Sequence, residues 1–344
     1  MKILVTGNNG YIGTILTDLL QKKGHSVTGL DINYYKNCLL EPINHEIEHI
    51  TKDIRAVVND DIKGFDAIIH LAALSNDPLG ELDPYLTDDI NFNGTMKIAK
   101  IAKKAGVKRF IYASSQSMYG ISNTIDELDE YKSEKIPITS YAITKWKAEL
   151  ELNKMNSNKF VVVSFRPSTV FGASPRLRCD VVFNNLVASA YTTGVVNIYS
   201  DGSPWRPVVH VRDVCKAFIA GLEAPVRLVG GKAFNVGIAE GNFTVRQLAK
   251  AAQAAVPGSD LIFLNEQTDP RSYRVSFCRI LNELKDYYKP TWNLDNGGKE
   301  LVDYFKKVNF TENDFKGRKC IRLNQLKYLK ETLKINHLLE RIKD

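Results

Sequence analysis

The sequence predicts an α/β fold: a doubly wound parallel sheet with a smaller C-terminal lobe. Through the first half of the chain, short β-rich segments alternate with segments whose apolar residues recur at helical spacing, which is typical of a parallel sheet covered by helices. A glycine-rich turn, from Gly7 to Gly13, follows the first β-rich segment and opens a helix. After about residue 175 the predicted strands become isolated and the loops longer. These observations together indicate a Rossmann-type domain followed by a second lobe.

The elements of the first domain follow from local patterns. Residues 11–23 carry apolar side chains at helical spacing and end near Gly24, whereas residues 67–71 form a short apolar run, as expected of a buried strand. The patterns predict strands at 2–6, 26–31, 67–71, 109–114 and 160–165, and helices at 11–23, 90–105 and 141–156. Residues 1–175 are therefore assigned to the Rossmann domain.

The second half of the chain is assigned to a smaller lobe. Residues 176–344 are expected to form a substrate-binding lobe and a basic C-terminal tail. Part of the range 208–255 is expected to return to the large sheet, because residues 233–236 are strand-like and residues 244–255 resemble a capped helix.

Composition excludes several classes of protein. The chain has 344 residues, of which 44% are hydrophobic and 25% charged, as in ordinary globular proteins. No apolar run approaches the ~18 residues of a membrane span. Five scattered cysteines without a CxxC pair, and six histidines without metal-ligand spacing, predict reduced thiols and no metal site. No export signal is recognised at the start of the chain, so a cytoplasmic location is expected.

The net charge of +7 is unevenly distributed. Residues 316–344 contain nine Lys or Arg and three Asp or Glu, so the rest of the chain is nearly neutral. The favoured interpretation is a solvated basic helix, and the alternative is contact with an acidic partner or a membrane surface. Nucleic-acid binding is not expected, because the basic residues form no stripe through the main body.

The glycine-rich turn indicates a dinucleotide site. In Gly7-Asn8-Asn9-Gly10-Tyr11-Ile12-Gly13, glycines allow a tight turn and a close approach to a pyrophosphate, which rests on the helix N-terminus. The spacing is GxxGxxG rather than GxGxxG, but Asp31 closes the second strand 18 residues after Gly13. An acid at that position binds ribose hydroxyls and repels a 2′-phosphate, which predicts NAD rather than NADP.

A tyrosine and a lysine form the candidate catalytic pair. Tyr141 and Lys145 stand four residues apart on one face of a predicted helix. The ammonium group favours the phenolate, which then takes a proton from an alcohol while its carbon releases a hydride. Ser115 follows the strand at 109–114 and is placed to hold the reacting oxygen.

These residues occur within an ordered series of motifs. The chain resembles the extended short-chain dehydrogenase/reductases, in their NAD-dependent epimerase/dehydratase branch. The resemblance runs through most of the chain and ends before the last ~45 residues, in which no family motif is recognised. The matching segments are GNNGYIG (7–13), Asp31, Asp53-Ile54, HLAA (70–73), NFNGT (91–95), SSQSMYG (114–120), YAITK (141–145), FRP (165–167) and RPVVHV (206–211).

The resemblance implies a role for each matching residue. Tyr141 is the acid and base, Lys145 lowers its pKa and binds the nicotinamide ribose, and Ser115 holds the substrate hydroxyl. The substrate is expected to be a nucleotide-diphosphate sugar. The residues expected at the cofactor are Tyr141 and Lys145 with Gly7, Asn9, Gly10, Tyr11, Ile12, Gly13, Asp31, Asp53, Ile54, Leu71, Ala72, Ala73 and Asn91.

The substrate side of the resemblance is weaker. Arg206 matches a diphosphate-contacting arginine of the family, whereas Thr169 replaces a substrate-binding asparagine of galactose epimerases. Trp205 is expected either to stack on the base or to lie in the core, and Arg271 and Arg274 either to clamp phosphate or to form surface salt bridges. These departures leave the base and the sugar open. The expected substrate-binding residues are Ser115, Gln116, Ser117, Thr169, Asn185, Arg206, Arg271 and Arg274.

The two residues after Ser115 separate the reactions of the family. Family dehydratases carry Asp-Glu there and decarboxylases carry the Glu, whereas this chain has Gln116 and Ser117. Neither side chain titrates near neutral pH, so the resemblance favours 4-epimerisation through a transient 4-keto sugar. The alternatives are a 4-keto-sugar reductase or sugar 4-dehydrogenase and, remotely, a dinucleotide-binding regulator without catalysis. Helices 90–105 and 141–156 resemble those that pair family subunits, which predicts a homodimer.

Overall fold

The computed structural model describes residues 1–122, 125–264 and 272–342. Its centre is a seven-stranded parallel sheet with the strand order β10-β6-β5-β4-β1-β2-β3. The bounds of these strands are β1 Lys2–Thr6, β2 Ser26–Asp31, β3 Glu48–Thr51, β4 Ala67–His70, β5 Arg109–Ala113, β6 Val161–Pro167 and, after the smaller strands given below, β10 Lys232–Val236. The predicted doubly wound α/β fold is confirmed.

Helices cover both faces of the sheet. In the first 155 residues they are α1 Tyr11–Lys22, α2 Asp77–Gly80, α3 Pro84–Thr87, α4 Thr95–Lys104 and α5 Ser140–Met155. Further along the chain come α6 Val182–Thr193, α7 Val211–Glu223, α8 Val226–Val229, α9 Val245–Ala255, α10 Cys278–Glu283, α11 Leu294–Lys307, α12 Glu312–Lys316 and α13 Arg322–Glu331. No helix within the described ranges is long and apolar enough to cross a membrane.

Alternation along the strands builds two cores. In β1, Ile3 and Val5 belong to the core that includes residues of α1 and α7, whereas Leu4 belongs to the core beneath α4 and α5. Successive side chains of a strand point to opposite faces, so a strand that is apolar at every position is buried on both sides. This explains why the central strands contain continuous apolar runs.

The second lobe contains two small sheets. Strand β9 (Trp205–His210) pairs with β7 (Thr169–Phe171) and with β11 (Asn242–Thr244), while β8 (Val195–Ile198) pairs with β12 (Asp260–Phe263). The range 208–255 also contributes to the large sheet, because β10 pairs in parallel with β6. Thr244 caps α9, its hydroxyl accepting from the Gln247 N–H. The domain boundary near residue 175 stays a prediction.

Two elements differ from the sequence-based expectation. Strand β3 was not predicted, since its four residues are mostly exposed at the sheet edge and lack an apolar pattern. The helix expected at 90–105 begins as a wide π-helical turn, Asp88–Gly94, and continues as α4. Within that turn Asn91 is buried, and its amide is hydrogen-bonded to the backbone of Leu74 rather than to solvent.

The basic C-terminal residues include a helix, α13, whose lysines Lys327 and Lys330 are exposed, but the segment also has a buried apolar face. Leu326, Leu329, Ile335 and Leu339 are buried in the same core as Leu30 of β2. The segment therefore packs back onto the Rossmann domain, with its charged side chains around an apolar contact face.

Candidate active site

A cavity of about 640 Å³ opens at the carboxyl ends of the central strands. It lies where the strand order reverses between β1 and β4, which is where open α/β sheets bind ligands. Its wall includes the turn after β1, the segment after β4 and the segment after β5. The second lobe closes the opposite side through Asn185 and Arg206.

The turn after β1 is shaped for a close approach of a ligand to the backbone. Gly7 has a φ of +74°, and a Cβ there would lie 2.8 Å from the Ala72 nitrogen. A Cβ on Gly13 would lie 2.3 Å from the Gly7 carbonyl oxygen. Only glycine fits at both positions, so no side chain separates the loop from a ligand at the N-terminus of α1. There the free N–H groups and the helix dipole attract a phosphate.

Acidic residues lie at the ends of the neighbouring strands. Asp31 accepts hydrogen bonds from the Asn33 N–H at 2.7 Å and the Asn9 N–H at 3.2 Å, and burial raises the pKa of its carboxyl. Asp53 is paired with Arg55 at 2.6 Å. Asp31, Asp53 and Ile54 all line the cavity. Together with the glycine turn they fit the adenosine half of a dinucleotide.

Ser115 stands at the end of β5. It caps a short 3₁₀ turn, Gln116–Tyr119, by accepting from the Ser117 N–H at 3.1 Å, and its hydroxyl donates to Ser117 Oγ at 3.1 Å. Ser115 also lowers the pKa of Tyr141, opposing the effect of burial, and both side chains line the cavity. The serine and the phenol therefore face one point in the cavity.

The two members of the catalytic pair have shifted pKa values. Burial raises the pKa of Tyr141 to about 12, opposed by the effect of Ser115. Burial lowers the pKa of Lys145 to about 7. The Lys145 ammonium donates to the Ala113 carbonyl at 2.8 Å and lies 4.9 Å from the Tyr112 ring. Both residues line the cavity, and groups with such shifts in a cleft are candidates for proton transfer.

A buried ionic network supports this end of the cavity. Glu149, one turn beyond Lys145, accepts from the Ser114 hydroxyl at 2.5 Å and from Arg166 at 2.6 Å. Arg166 also donates to the Tyr119 hydroxyl at 2.9 Å. The network ties α5 to the ends of β5 and β6, which fixes Tyr141 and Ser115 relative to each other.

The structure brings together most of the residues singled out from the sequence. Within the described part of the chain, the cavity wall excludes Asn9, Asn91 and Arg274. Arg271 lies outside the described residues. The predicted residues that line the cavity are Gly7, Gly10, Tyr11, Ile12, Gly13, Asp31, Asp53, Ile54, Leu71, Ala72, Ala73, Ser115, Gln116, Ser117, Tyr141, Lys145, Thr169, Asn185 and Arg206.

The three excluded residues have other contacts. The Asn9 amide donates to Asn33 Oδ1 at 2.6 Å, and Asn91 braces the loop after β4 as described above. Arg274 forms a salt bridge with Glu127 at 3.0 Å and lies 5.0 Å from the Trp205 ring. Arg274 thus takes part in an ion pair, and the Trp205 ring lies beside its guanidinium.

Sequence reasoning missed a polar cluster beside Tyr141. Arg178 donates to Asp180 at 2.8 Å and to the Ser75 hydroxyl at 3.3 Å, and Asn76 donates to Asp180 at 2.9 Å. All four residues line the cavity. Two closely spaced arginines, Arg176 and Arg178, were the only sequence feature that could have indicated this cluster, and they lie outside any recognised motif.

The fold and the cavity define the class of protein: an NAD-dependent Rossmann enzyme with a Ser-Tyr-Lys constellation. The chain belongs to the NAD-dependent epimerase/dehydratase family, whose sequence model matches residues 3–237. The resemblance drawn from the sequence and the assignment of NAD as cofactor are thereby confirmed. Among the residues that the structure describes, no group of three His, Cys, Asp or Glu is placed to hold a metal ion.

Curated relatives carry related activities. A UDP-glucose 4-epimerase of Mycolicibacterium smegmatis is 32% identical over 276 residues, covering 76% of this chain and 84% of the relative. A UDP-glucuronic acid decarboxylase of Xenopus tropicalis is 26% identical over 314 residues, covering 89% and 72%. A structure of UDP-glucuronic acid 4-epimerase from Bacillus cereus with UDP-glucuronic acid and NAD has a TM-score of 0.74 at 23% identity, covering 90% and 100%.

Proposed function

We propose that the protein is an NAD-dependent nucleotide-sugar epimerase that inverts C4. The observation that carries the proposal is which side chains line the cavity around Tyr141. Ser115, Tyr141 and Lys145 line one cavity with the glycine turn, and the two residues after Ser115 are Gln116 and Ser117. Tyr141 can therefore exchange a proton with a sugar hydroxyl. The two positions after Ser115, where the elimination of water would need an acid, carry no acidic side chain.

Each residue of the constellation has a separate task. Ser115 holds the 4-oxygen, and Tyr141 removes its proton and later returns it. Because burial raises the Tyr141 pKa to about 12 even with the opposing effect of Ser115, the phenolate needs a further positive charge nearby, which Lys145 in its protonated form would supply. Bound NAD, held by the glycine turn, Asp31 and Lys145, would supply the hydride acceptor for C4 and the hydride that returns to the other face of the sugar.

Gln116 has a fixed orientation that suits this chemistry. Its amide nitrogen donates to the Arg166 carbonyl at 3.0 Å, and the side chain is 1% exposed. Its carbonyl oxygen has no hydrogen-bond partner among the described residues. A neutral acceptor at this position orients a sugar hydroxyl without taking its proton, which favours epimerisation over dehydration.

NMR of the purified protein with a panel of nucleotide-hexoses, without added cofactor, tests the proposal. A C4 epimer is expected for at least one sugar, and Tyr141→Phe should lower its rate of formation by about 10²–10⁴-fold. Tyr85→Phe is the matched control, because Tyr85 is 81% exposed. Unchanged sugars with turnover of 4-keto sugars on addition of NADH would replace the epimerase with a reductase. An active Tyr141→Phe variant would contradict the role of Tyr141.

We further propose a cytoplasmic homodimer. Four of the five cysteines are buried, and none of the five is in a disulfide, which suits a reducing compartment. On α5, Ile143 and Leu150 are 45% and 44% exposed, seven residues apart on one helix face, as expected of a helix-pairing surface. Light scattering should give twice the chain mass, and Ile143→Glu should reduce it to a monomer. A single-chain mass for the unmodified protein would overturn the dimer.

A further inference from the structure

The C-terminal segment, residues 317–342, lies across the adenosine end of the cavity. Gln325 donates to the Tyr34 carbonyl at 2.9 Å, and Arg341 donates to the Ile32 carbonyl at 2.6 Å. Asp31, Ile32 and Tyr34 line the cavity directly beneath these contacts. The segment therefore holds the loop that follows β2, where the adenosine ribose is expected to bind.

One side chain of this segment enters the cavity wall. Arg322 is 2% exposed, donates through Nη2 to the Arg176 carbonyl at 2.8 Å, and places its guanidinium 4.3 Å from the Tyr35 ring. Within residues 1–122, 125–264 and 272–342, its Nη1 atom has no hydrogen-bond acceptor. Arg322 lines the cavity, and a buried guanidinium nitrogen without an acceptor is costly unless an anion binds beside it.

A second arginine lies behind the first. Arg176 is 3% exposed, and its Nε and Nη1 atoms have no hydrogen-bond partner in the described part of the chain. Its nearest charged groups include Arg322 and Asp31. Two neighbouring buried cations repel each other, so together they create a strong local preference for an anionic ligand.

The location of the pair selects the anion. Ser174, two residues before Arg176, donates to the Tyr11 carbonyl at 2.9 Å, so this segment lies against the start of α1. Arg322 lines the cavity together with Tyr35 and Arg178, and it donates to the Arg176 carbonyl. The two arginines thus lie near the N-terminus of α1, between the loop after β2 and the segment that carries Arg178. In a bound dinucleotide the pyrophosphate occupies this interval, with the glycine turn and α1 on its other side.

We propose that Arg322, backed by the charge of Arg176, binds the pyrophosphate of NAD, and that the C-terminal segment thereby closes the adenosine half of the cavity over the cofactor. NAD release then requires the segment to detach, which suits an enzyme that reuses one cofactor. The inference rests on NAD as the cofactor and is independent of the reaction at C4.

Equilibrium binding separates the pyrophosphate contact from a general loosening of the site. Arg322→Gln is compared with Lys327→Gln, which makes the same charge change at an exposed position of the same helix. Affinities for NAD, ADP-ribose, adenosine and UDP are measured by calorimetry on protein freed of cofactor. Arg322→Gln should weaken NAD and ADP-ribose by at least about tenfold and leave adenosine and UDP unchanged. Lys327→Gln should change none of them.

Other patterns would overturn the proposal. Equal weakening of adenosine would assign Arg322 a structural role, and weakening of UDP alone would assign it to the substrate diphosphate. Unchanged affinities would exclude any contact. If Arg322→Gln does not fold, Arg322→Lys keeps a cation but loses the planar donor pair, and it should weaken NAD and ADP-ribose severalfold.

The closure is tested by the rate of cofactor release. Arg341→Gln removes the contact with the Ile32 carbonyl while leaving Arg322 in place. Dissociation of NAD, followed by trapping the released cofactor enzymatically, should become severalfold faster in this variant. An unchanged rate would show that the segment does not gate release. None of these measurements depends on turnover, so they stand whether or not the protein is an epimerase.

Discussion

The two ends of the cavity are held in different ways. At the catalytic end, Tyr141 and Lys145 lie on one helix, and the network around Glu149 ties that helix to two adjacent strands. At the adenosine end, the loop after β2 is held by residues about 300 positions later in the chain, as in the contact of Arg341 with Ile32. One end is built by neighbouring elements of one sheet and the other by a distant segment laid over it.

This difference predicts different consequences of damage. A buried network inside the sheet is part of the cooperative core, so breaking it lowers global stability. A segment at the end of the described chain, held by a few hydrogen bonds and apolar side chains outside the sheet, opens locally at a lower free energy. The catalytic end should therefore fail by unfolding, and the adenosine end by local opening and loss of cofactor.

The largest expected stability effect comes from the catalytic end. Glu149→Gln leaves Arg166, which is 2% exposed, without its carboxylate partner. Removing one partner of a buried ion pair typically costs about 3–5 kcal/mol. Urea unfolding should show that loss, together with reduced turnover, because Ser114, next to Ser115, then competes with Arg166 for the one remaining acceptor oxygen.

Glu151→Gln is the matched control for this experiment. Glu151 lies on the same helix and pairs with Lys154 at the surface, with side-chain exposures of 41% and 70%. Exposed pairs contribute about 0–1 kcal/mol, so this variant should keep its stability and its activity. Equal losses in both variants would mean that the buried network has no special role.

Lys145 should make the stability of the cofactor-free protein depend on pH. Its pKa falls from an ordinary value of 10.5 to about 7 on folding, so between these values the unfolded state binds more protons. Stability therefore rises with pH across this window, and Lys145 should contribute roughly 2–3 kcal/mol of the rise between pH 6 and 9.

Lys145→Met isolates this contribution. The variant lacks the buried amine, so its stability should rise less steeply between pH 6 and 9, and it should exceed the unmodified protein most at pH 6. Urea titrations at both pH values measure the difference. Parallel pH profiles for the two proteins would show that Lys145 stays charged in the folded state.

The same contrast explains which features the sequence revealed. The glycine turn and the Tyr141–Lys145 spacing are local patterns whose backbone consequences are known, so they indicated the fold and the catalytic wall. The positions of Asn9 and Arg274 depended on rotamers and partners that spacing does not specify. The role of residues 317–342 was missed because contacts across the chain leave no local pattern. The many charged residues of the segment favoured a solvated helix, although residues such as Leu326 and Leu339 form a buried apolar face.

The smallest predicted effect tests the adenosine end directly. The Tyr34 hydroxyl donates to the Leu339 carbonyl, and Tyr34→Phe removes that bond while keeping the ring in place. The loss should be about 1 kcal/mol, confined to the C-terminal segment. Hydrogen exchange of the amides in residues 333–342 should accelerate about fivefold, with little change in α5. Tyr131→Phe, at a position that is 65% exposed, should leave both regions unchanged. If Tyr34→Phe instead accelerated exchange equally in α5 and in the C-terminal segment, the two ends of the cavity would open as one unit. The proposed difference in local stability between the catalytic end and the adenosine end would then be wrong.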